Sequence, residues 1–380
     1  MSKSVIILGS TGSIGKQALE ILDQYKEEFR LIGISAGHDS PALRKQAEEL
    51  RPRYVACSEK TDPADYPAGT ELIYGEDASE RLAAVSCDVV VLAVSGFAAL
   101  KPLLVAARNG GRIAIANKES LVCGGDLVIE TIQKYGAELI PVDSEQCALF
   151  QCLMNGKKEE VQKLILTASG GPFFRKSREQ LKNVSLHDVL QHPTWNMGRK
   201  ITLDSATLFN KGLEIMEAAR LFRRSADEID VLIHPQSIVH SMVEYRDSSV
   251  IANLAVPDMR LPIQYALTYP DRIPSLTRAL DLSAIRTLEF YPADPERFPA
   301  IRLAYEALRR ESGYPVVYNA ANEIAADSFF NGRIQFLDIE SCVEETLSAY
   351  SPILQKDIDS VFMTDVWARR FASDFCKTIR

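Results

Sequence analysis

Residues 5–15 read VIILGSTGSIG. Val5 to Leu8 is a short apolar run of buried-strand type, and a helical period follows from Ser13 to Tyr25. Between them Gly9, Gly12 and Gly15 form a G-x-x-G-x-x-G turn. Glycine lets the backbone turn tightly and approach a pyrophosphate, and the helix start behind it offers N–H groups and a favourable dipole. An ordinary strand-to-helix turn also uses glycine, but strand, turn and helix in this order are the context a dinucleotide site requires.

Outward from this turn the pattern repeats. Leu31 to Ser35, Tyr54 to Cys57, Val89 to Val94 and Ile113 to Ala116 are further buried-strand runs, with helical periods between most of them. Strict alternation predicts an α/β domain over residues 1–142, a doubly wound parallel sheet of Rossmann-like type. An NAD site usually places an acid at the end of the second strand, about 20 residues on, to hold the ribose. Here that strand ends in Ser35, Ala36, Gly37, His38 and Asp39. His38 can face a 2′-phosphate, although Asp39 is an awkward neighbour, so NADP is favoured over NAD.

Residues 143–268 mix helix and strand without strict alternation, which predicts an α+β domain. It holds a helix after Ser144 that stops near Asn155 and Gly156, a strand from Leu164 to Thr167 and a polar stretch over 185–200. A long helix from about Ser205 to Phe222 and strands near 230–234, 238–245 and 249–254 complete it. Repeated prolines mark residues 269–298 as a surface linker, and residues 299–380 read as a helical bundle.

The formal net charge of −8 argues against a nucleic-acid partner. No apolar stretch approaches the roughly 20 residues of a membrane span. Met1 runs straight into a strand with no leader-like segment, so a cytoplasmic location is expected. The seven cysteines are odd in number, scattered and without a C-x-x-C pair, which points to free thiols rather than a zinc knuckle or disulfide framework.

Chemistry concentrates in two places. Asp143 and Glu145 flank Ser144, and in extended backbone two residues so spaced face the same side. Glu214 is a third candidate, on the long helix. Three carboxylates with water suit Mg²⁺ or Mn²⁺, although exposed acids with no such role are common. Asp204 or Ser205 is a candidate helix N-cap. Asn210, Lys211 and Glu214 share one arc of the helix, where Lys211 and Glu214 could equally form a surface ion pair. Gly212 in mid-helix points either to close approach of a ligand or to a packing contact.

The strings GSTGSIG (9–15), ANKESLV (116–122), PVDSE (141–145), ASGGPF (168–173), HPTWNMGRKITLDSATLFNKGLE (192–214), LIHPQSIVHSMV (232–243), PDMRLPI (257–263) and NAANE (319–323) resemble, in order, the 1-deoxy-D-xylulose 5-phosphate reductoisomerase family. The resemblance spans essentially the whole chain. It implies metal-dependent rearrangement of the ketose phosphate, reduction by NADPH to 2-C-methyl-D-erythritol 4-phosphate, and a homodimer. It implies metal ligation by Asp143, Glu145 and Glu214. Ser144, Ser169, Ser205, Asn210 and Lys211 would bind substrate, the last four at its phosphate. Lys118, Glu145, Glu214 and His192 would take part in catalysis at the substrate, and Trp195 would cover it. Thr11, Gly12, Ser13, Ile14, Gly37, His38, Asp39, Asn117, Glu119 and Gly198 would contact the cofactor. The family often has a basic residue and then Asn after Ala36-Gly37, where this chain has His38 and Asp39.

Two other readings remain open on the residues alone. A dehydrogenase of a phosphorylated aldehyde would work without metal, and a thiol-dependent version needs a reactive cysteine. A non-catalytic dinucleotide sensor would have no use for the acid cluster. His234 and His240, in a strand-like apolar segment, read as structural.

Overall fold

The computed structural model describes residues 2–191 and 198–379. Packing groups the chain into two compact units. The first comprises Met1–Leu121, Val128–Cys147 and Asp258–Arg278; the second comprises Val122–Leu127, Ala148–Pro257 and Ala279–Arg380. This grouping cuts across the sequence divisions at 142/143 and 268/269.

In the first unit, β1 (Lys3–Leu8), β2 (Phe29–Ser35), β3 (Tyr54–Cys57), β4 (Glu71–Tyr74), β5 (Val89–Leu92), β6 (Arg112–Ile115) and β7 (Glu138–Pro141) form one sheet in the order β4-β3-β2-β1-β5-β6-β7. Every pairing is parallel. Val89 to Leu92 is buried along its whole length, as a strand covered on both faces must be. The strand order reverses between β1 and β5. Ligands of open α/β sheets bind at such a switch point, beyond the carboxyl ends of the strands, and the Gly9–Gly15 turn lies there. Asp258–Arg278 contributes the helix Arg260–Thr268, which packs on the helix Ser13–Gln24. It is fastened by Arg112, whose Nη1 donates to the Leu267 carbonyl at 3.2 Å.

In the second unit, β8 (Val161–Ala168), β9 (Ile229–Ile233), β10 (Val239–Tyr245), β11 (Val250–Leu254) and β12 (Tyr291–Pro292) form a mixed sheet in the order β11-β10-β8-β9-β12. β8 and β9 are parallel and the other pairs antiparallel. The helices Ala300–Arg310, Tyr314–Phe330, Asp338–Ala349 and Ile358–Thr378 follow. They share one hydrophobic core with the sheet: Leu164 and Leu166, Phe209 and Leu213, Leu303 and Tyr318 all belong to it. That common core is why residues 299–380 do not separate from 148–257. The proline-rich stretch is largely exposed, but it straddles the boundary at Arg278 and supplies β12.

The expected single helix from about 205 to 222 is two pieces, Arg199–Thr207 and Phe209–Phe222. Leu208 breaks it, with φ +62° in the left-handed region. Asp204 and Ser205 therefore lie inside the first piece, both buried, and neither is the N-cap. The N-cap is Gly198, whose carbonyl accepts from the Thr202 N–H at 3.1 Å and the Thr202 hydroxyl at 2.9 Å. Among the described residues no helix is long and apolar enough to cross a membrane.

Candidate functional site

The Gly-rich turn is tight and closely packed. Gly9 has φ +89°, and a Cβ there would come within 2.5 Å of the Ala93 carbonyl oxygen. At Gly15 a Cβ would meet the Gly9 oxygen at 2.3 Å, so the helix Ser13–Gln24 lies directly on the turn. Gly12 is its N-cap, and no side chain caps it. Gly12 and Ser13 are exposed and Thr11 and Ile14 half-exposed, so this helix start is open to an anion. The turn is anchored by Ser10, a residue the sequence did not single out. Its buried hydroxyl donates to Gln46 Oε1 at 2.7 Å, and Gln46 Nε2 returns a bond to the Ser10 carbonyl at 2.9 Å.

At the end of β2, Gly37 has open space around it, and His38 is exposed beside Glu59 at 3.2 Å. Asp39 does not project freely. Arg44 clamps its carboxylate through Nε at 2.9 Å and Nη2 at 2.6 Å, and the Tyr66 hydroxyl donates to it at 2.8 Å. The Arg44 guanidinium holds the Asp39 carboxyl below the usual carboxylate range. Arg44 Nη1 also pairs with Asp65 at 2.7 Å, so one guanidinium holds both acids.

Asn117 is the N-cap of the helix Lys118–Tyr135. Its Oδ1 accepts the Ser120 N–H at 2.8 Å, and its Nδ2 reaches the Val94 and Gly96 carbonyls at 2.9 Å and Glu119 at 3.0 Å. It ties the loop after β5 to the start of this helix. Lys118 is buried, and its Nζ lies 2.6 Å from Asp143 Oδ2.

Asp143 and Glu145 do come together, but not on extended backbone. Asp143 ends the run from β7 and caps the helix Ser144–Leu153, its Oδ1 accepting the Glu145 N–H at 3.2 Å. Ligand oxygens of the two carboxylates lie within 4.8 Å of one another. The Ser144 hydroxyl donates to Glu145 Oε2 at 2.5 Å. A helix N-terminus favours this local concentration of negative charge.

The second unit carries the other set. Glu214 and Lys211 are 1% and 3% exposed, so their ion pair is a buried one, not a surface pair. Asn210 Nδ2 donates to the other Glu214 oxygen, and Lys211 Nζ also donates to the Thr167 carbonyl at 2.5 Å. Charges so deeply buried are costly unless well satisfied, and here Asn210 and the Thr167 carbonyl complete the set of partners. Ser205 donates to the Ile201 carbonyl at 2.8 Å, and Ser169 accepts the Gly171 N–H at 3.2 Å. Gly171 has φ +62°, and a Cβ there would strike the Ser205 carbonyl oxygen at 2.6 Å. Only glycine lets this loop lie on the Ser205 helix. The paired glycines were the visible signal; Thr167 had none. Gly198 is exposed, while His192 and Trp195 lie outside the described residues.

Gly212 is explained by packing. A Cβ there would meet Tyr318 Oη at 1.9 Å. His234 is structural: its Nε2 accepts the Ile238 N–H at 3.2 Å, leaving Nδ1–H to donate to the Glu289 carbonyl at 2.8 Å. His240 is buried, and desolvation pushes its imidazole down to about 4. Burial also raises the Cys87 and Cys152 thiols to about 11, which makes poor nucleophiles. Cys376 is drawn down to about 7 by Cys342, 3.6 Å away, but both are buried among the C-terminal helices.

Three family models match consecutive parts of the chain. The model described as 1-deoxy-D-xylulose 5-phosphate reductoisomerase covers residues 5–125, and its C-terminal domain model covers 139–222. The DXP reductoisomerase C-terminal domain model covers 254–371. The 1-deoxy-D-xylulose 5-phosphate reductoisomerase of Chlorobium chlorochromatii is 47% identical over 379 residues, 98% of this chain and 99% of its own. That of Geotalea uraniireducens is 45% identical over 97% of both. Among solved structures, the Zymomonas mobilis enzyme in complex with NADPH superposes with TM-score 0.92 at 37% identity, covering 100% of both chains. A DOX-P reductoisomerase in complex with NADPH, fosmidomycin and magnesium gives TM-score 0.91 at 37% identity, covering 99% of this chain and 98% of that one. With family models spanning most of its length and relatives so similar from end to end, the chain belongs to the 1-deoxy-D-xylulose 5-phosphate reductoisomerase family.

Proposed function

We infer that the protein converts 1-deoxy-D-xylulose 5-phosphate to 2-C-methyl-D-erythritol 4-phosphate, using NADPH and a divalent cation, on the route to isoprenoid precursors. The observation that carries this is the end-to-end similarity to enzymes of that name. Named relatives bind NADPH and magnesium, and the residues here fit both groups. Asp143, Glu145 and Glu214 each offer a carboxylate oxygen, the hard donor that Mg²⁺ or Mn²⁺ takes. The uncapped start of the helix Ser13–Gln24 suits a pyrophosphate, and Arg44, although shared with Asp65, offsets part of the Asp39 charge that would repel a 2′-phosphate.

When bound, the cation supplies a Lewis acid and template for two substrate oxygens, and NADPH supplies the hydride. The chain's residues do the rest. Ser169, Ser205, Asn210 and Lys211 hold the substrate phosphate, a remote handle whose binding energy orients the reacting end. Lys118, fixed on Asp143, presents donors to the substrate oxygens, and Ser144, whose proton goes to Glu145, offers its oxygen as an acceptor to a substrate hydroxyl. His192 contacts substrate and Trp195 covers it, excluding water. Thr11, Gly12, Ser13, Ile14, Asn117, Glu119 and Gly198, with Gly37, His38 and Asp39 near the adenosine ribose, serve the cofactor.

The assay is NADPH consumption with the ketose phosphate and Mg²⁺ or Mn²⁺. Chelation abolishes the rate under this reading, and Glu214→Gln raises the metal concentration needed for half-maximal rate by about 100-fold. Full turnover after exhaustive chelation would instead favour the metal-free dehydrogenase of a phosphorylated aldehyde. Cofactor binding with neither turnover nor metal binding would favour the sensor.

The protein also acts as a cytoplasmic homodimer in this reading, with no nucleic-acid or membrane partner. β11 is an edge strand with Val250, Ile251 and Leu254 exposed, an open apolar edge of the kind a second copy covers.

A further inference from the structure

The residues assigned to the substrate phosphate stand on both sides of a break. Ser205 belongs to the helix Arg199–Thr207, Asn210 and Lys211 to the helix Phe209–Phe222, and Leu208 joins them at φ +62°. A leucine in left-handed backbone persists only where its surroundings hold it. One face of a later helix, Tyr314–Phe330, does so. Tyr318 and Asn322 lie one turn apart on that helix.

Tyr318 grips the piece after the break. It is fully buried, its hydroxyl sits over Gly212 and donates to the Ala300 carbonyl at 3.0 Å, and its ring meets Phe209 at 5.2 Å between centroids. Asn322 grips the piece before it. Also fully buried, its Nδ2 donates to Asp204 Oδ1 at 3.0 Å, while Lys200 takes the other Asp204 oxygen. Asp204 immediately precedes Ser205, and Gly212 immediately follows Lys211.

We propose that Asn322 and Tyr318 are positioning residues for the substrate phosphate: acting through Asp204 and Gly212, they set the angle at Leu208 and so the spacing between Ser205 and the Asn210–Lys211 pair. This rests on the reading of Ser205, Asn210 and Lys211 as the phosphate holders.

The measurement is the ratio of kcat/KM for 1-deoxy-D-xylulose 5-phosphate to kcat/KM for the dephosphorylated sugar, on the full-length enzyme with NADPH and Mg²⁺. General destabilisation lowers both values together; mispositioned phosphate ligands lower the ratio. Asn322→Asp keeps the side-chain shape but sets a carboxylate against Asp204. It should lower the ratio at least roughly tenfold, since small misplacements at a binding handle are costly. Adding Asp204→Asn restores a donor–acceptor pair and should restore most of the ratio. If Asn322→Asp does not fold, Tyr318→Phe, which loses the hydroxyl's bond to Ala300 and its contact over Gly212 but keeps the ring on Phe209, should lower the ratio by a smaller factor. Lys211→Ala is the control. If it lowers the ratio and both Asn322→Asp and Tyr318→Phe leave it unchanged, the positioning role is overturned and the phosphate site stands. If Lys211→Ala leaves the ratio unchanged, the phosphate assignment falls and the positioning role with it.

Discussion

Replacing Gly212 by alanine puts two effects in opposition. Helix propensity alone favours alanine by about 1 kcal/mol. Against it, the added methyl would sit 1.9 Å from Tyr318 Oη, 2.8 Å from its Cζ and 3.1 Å from the Ala304 Cβ. Tyr318 has no exposed surface through which to retreat, and its hydroxyl bonds the Ala300 carbonyl. Overpacking a filled core costs about 1–3 kcal/mol, and breaking a buried hydroxyl bond costs another ~1–3 kcal/mol. The steric terms win, and Gly212→Ala should destabilise by about 3 kcal/mol. Trp367 belongs to the second unit, so its fluorescence during urea unfolding reports on that unit. The midpoint should fall by about 1 M. Combining Gly212→Ala with Tyr318→Phe should recover part of the loss, because the nearest clashing atom is gone. A variant equal to or more stable than the parent would show that the contact yields freely, and would refute the account of this glycine.

Arg44→Ala should strip the shared cation from Asp39 and Asp65 at the end of β2, where bare carboxylates repel a 2′-phosphate and Asp39 suits a ribose hydroxyl; the NADPH-to-NADH preference in kcat/KM should drop about tenfold, and an unchanged preference would remove this cluster from cofactor selection. His240 has a folded-state pKa of about 4, below its ordinary 6.5. The unfolded chain therefore binds the extra proton first, so this stability is fully present above pH 6.5 and is lost as pH falls through about 4. The loss is about 3 kcal/mol, and urea midpoints across that window should slope less in His240→Gln; equal slopes would count against it. Ile251→Lys, on the open edge of β11, should yield monomers by light scattering, and an intact dimer would place the interface elsewhere.

The first strand, turn and helix were legible because their signals are local: an apolar run, fixed glycines and a helical period. β4 was not, because it is an edge strand whose exposure alternates little, with no buried run to betray it. Asp204-Ser205 imitates a helix cap, and a leucine carries no mark of a left-handed turn, so the broken helix read as continuous. Asp143 and Glu145 were found through a spacing argument for strands, yet the structure brings them together at a helix N-terminus. What pairs with Lys118, what lies over Gly212 and what clamps Asp39 are contacts between separated stretches, which spacing along one stretch cannot report.

The first unit is stitched from three separate stretches, the last of them Asp258–Arg278. On the ribosome its sheet strands are all made by Pro141, but the helix Arg260–Thr268 that covers Ser13–Gln24 comes only after the whole of Ala148–Pro257. At about 5–20 residues per second that delay is on the order of ten seconds. For that time a nascent nucleotide-binding fold carries an uncovered apolar helix face, a natural target for a holding chaperone, and truncating the gene before codon 260 would leave that face bare for good.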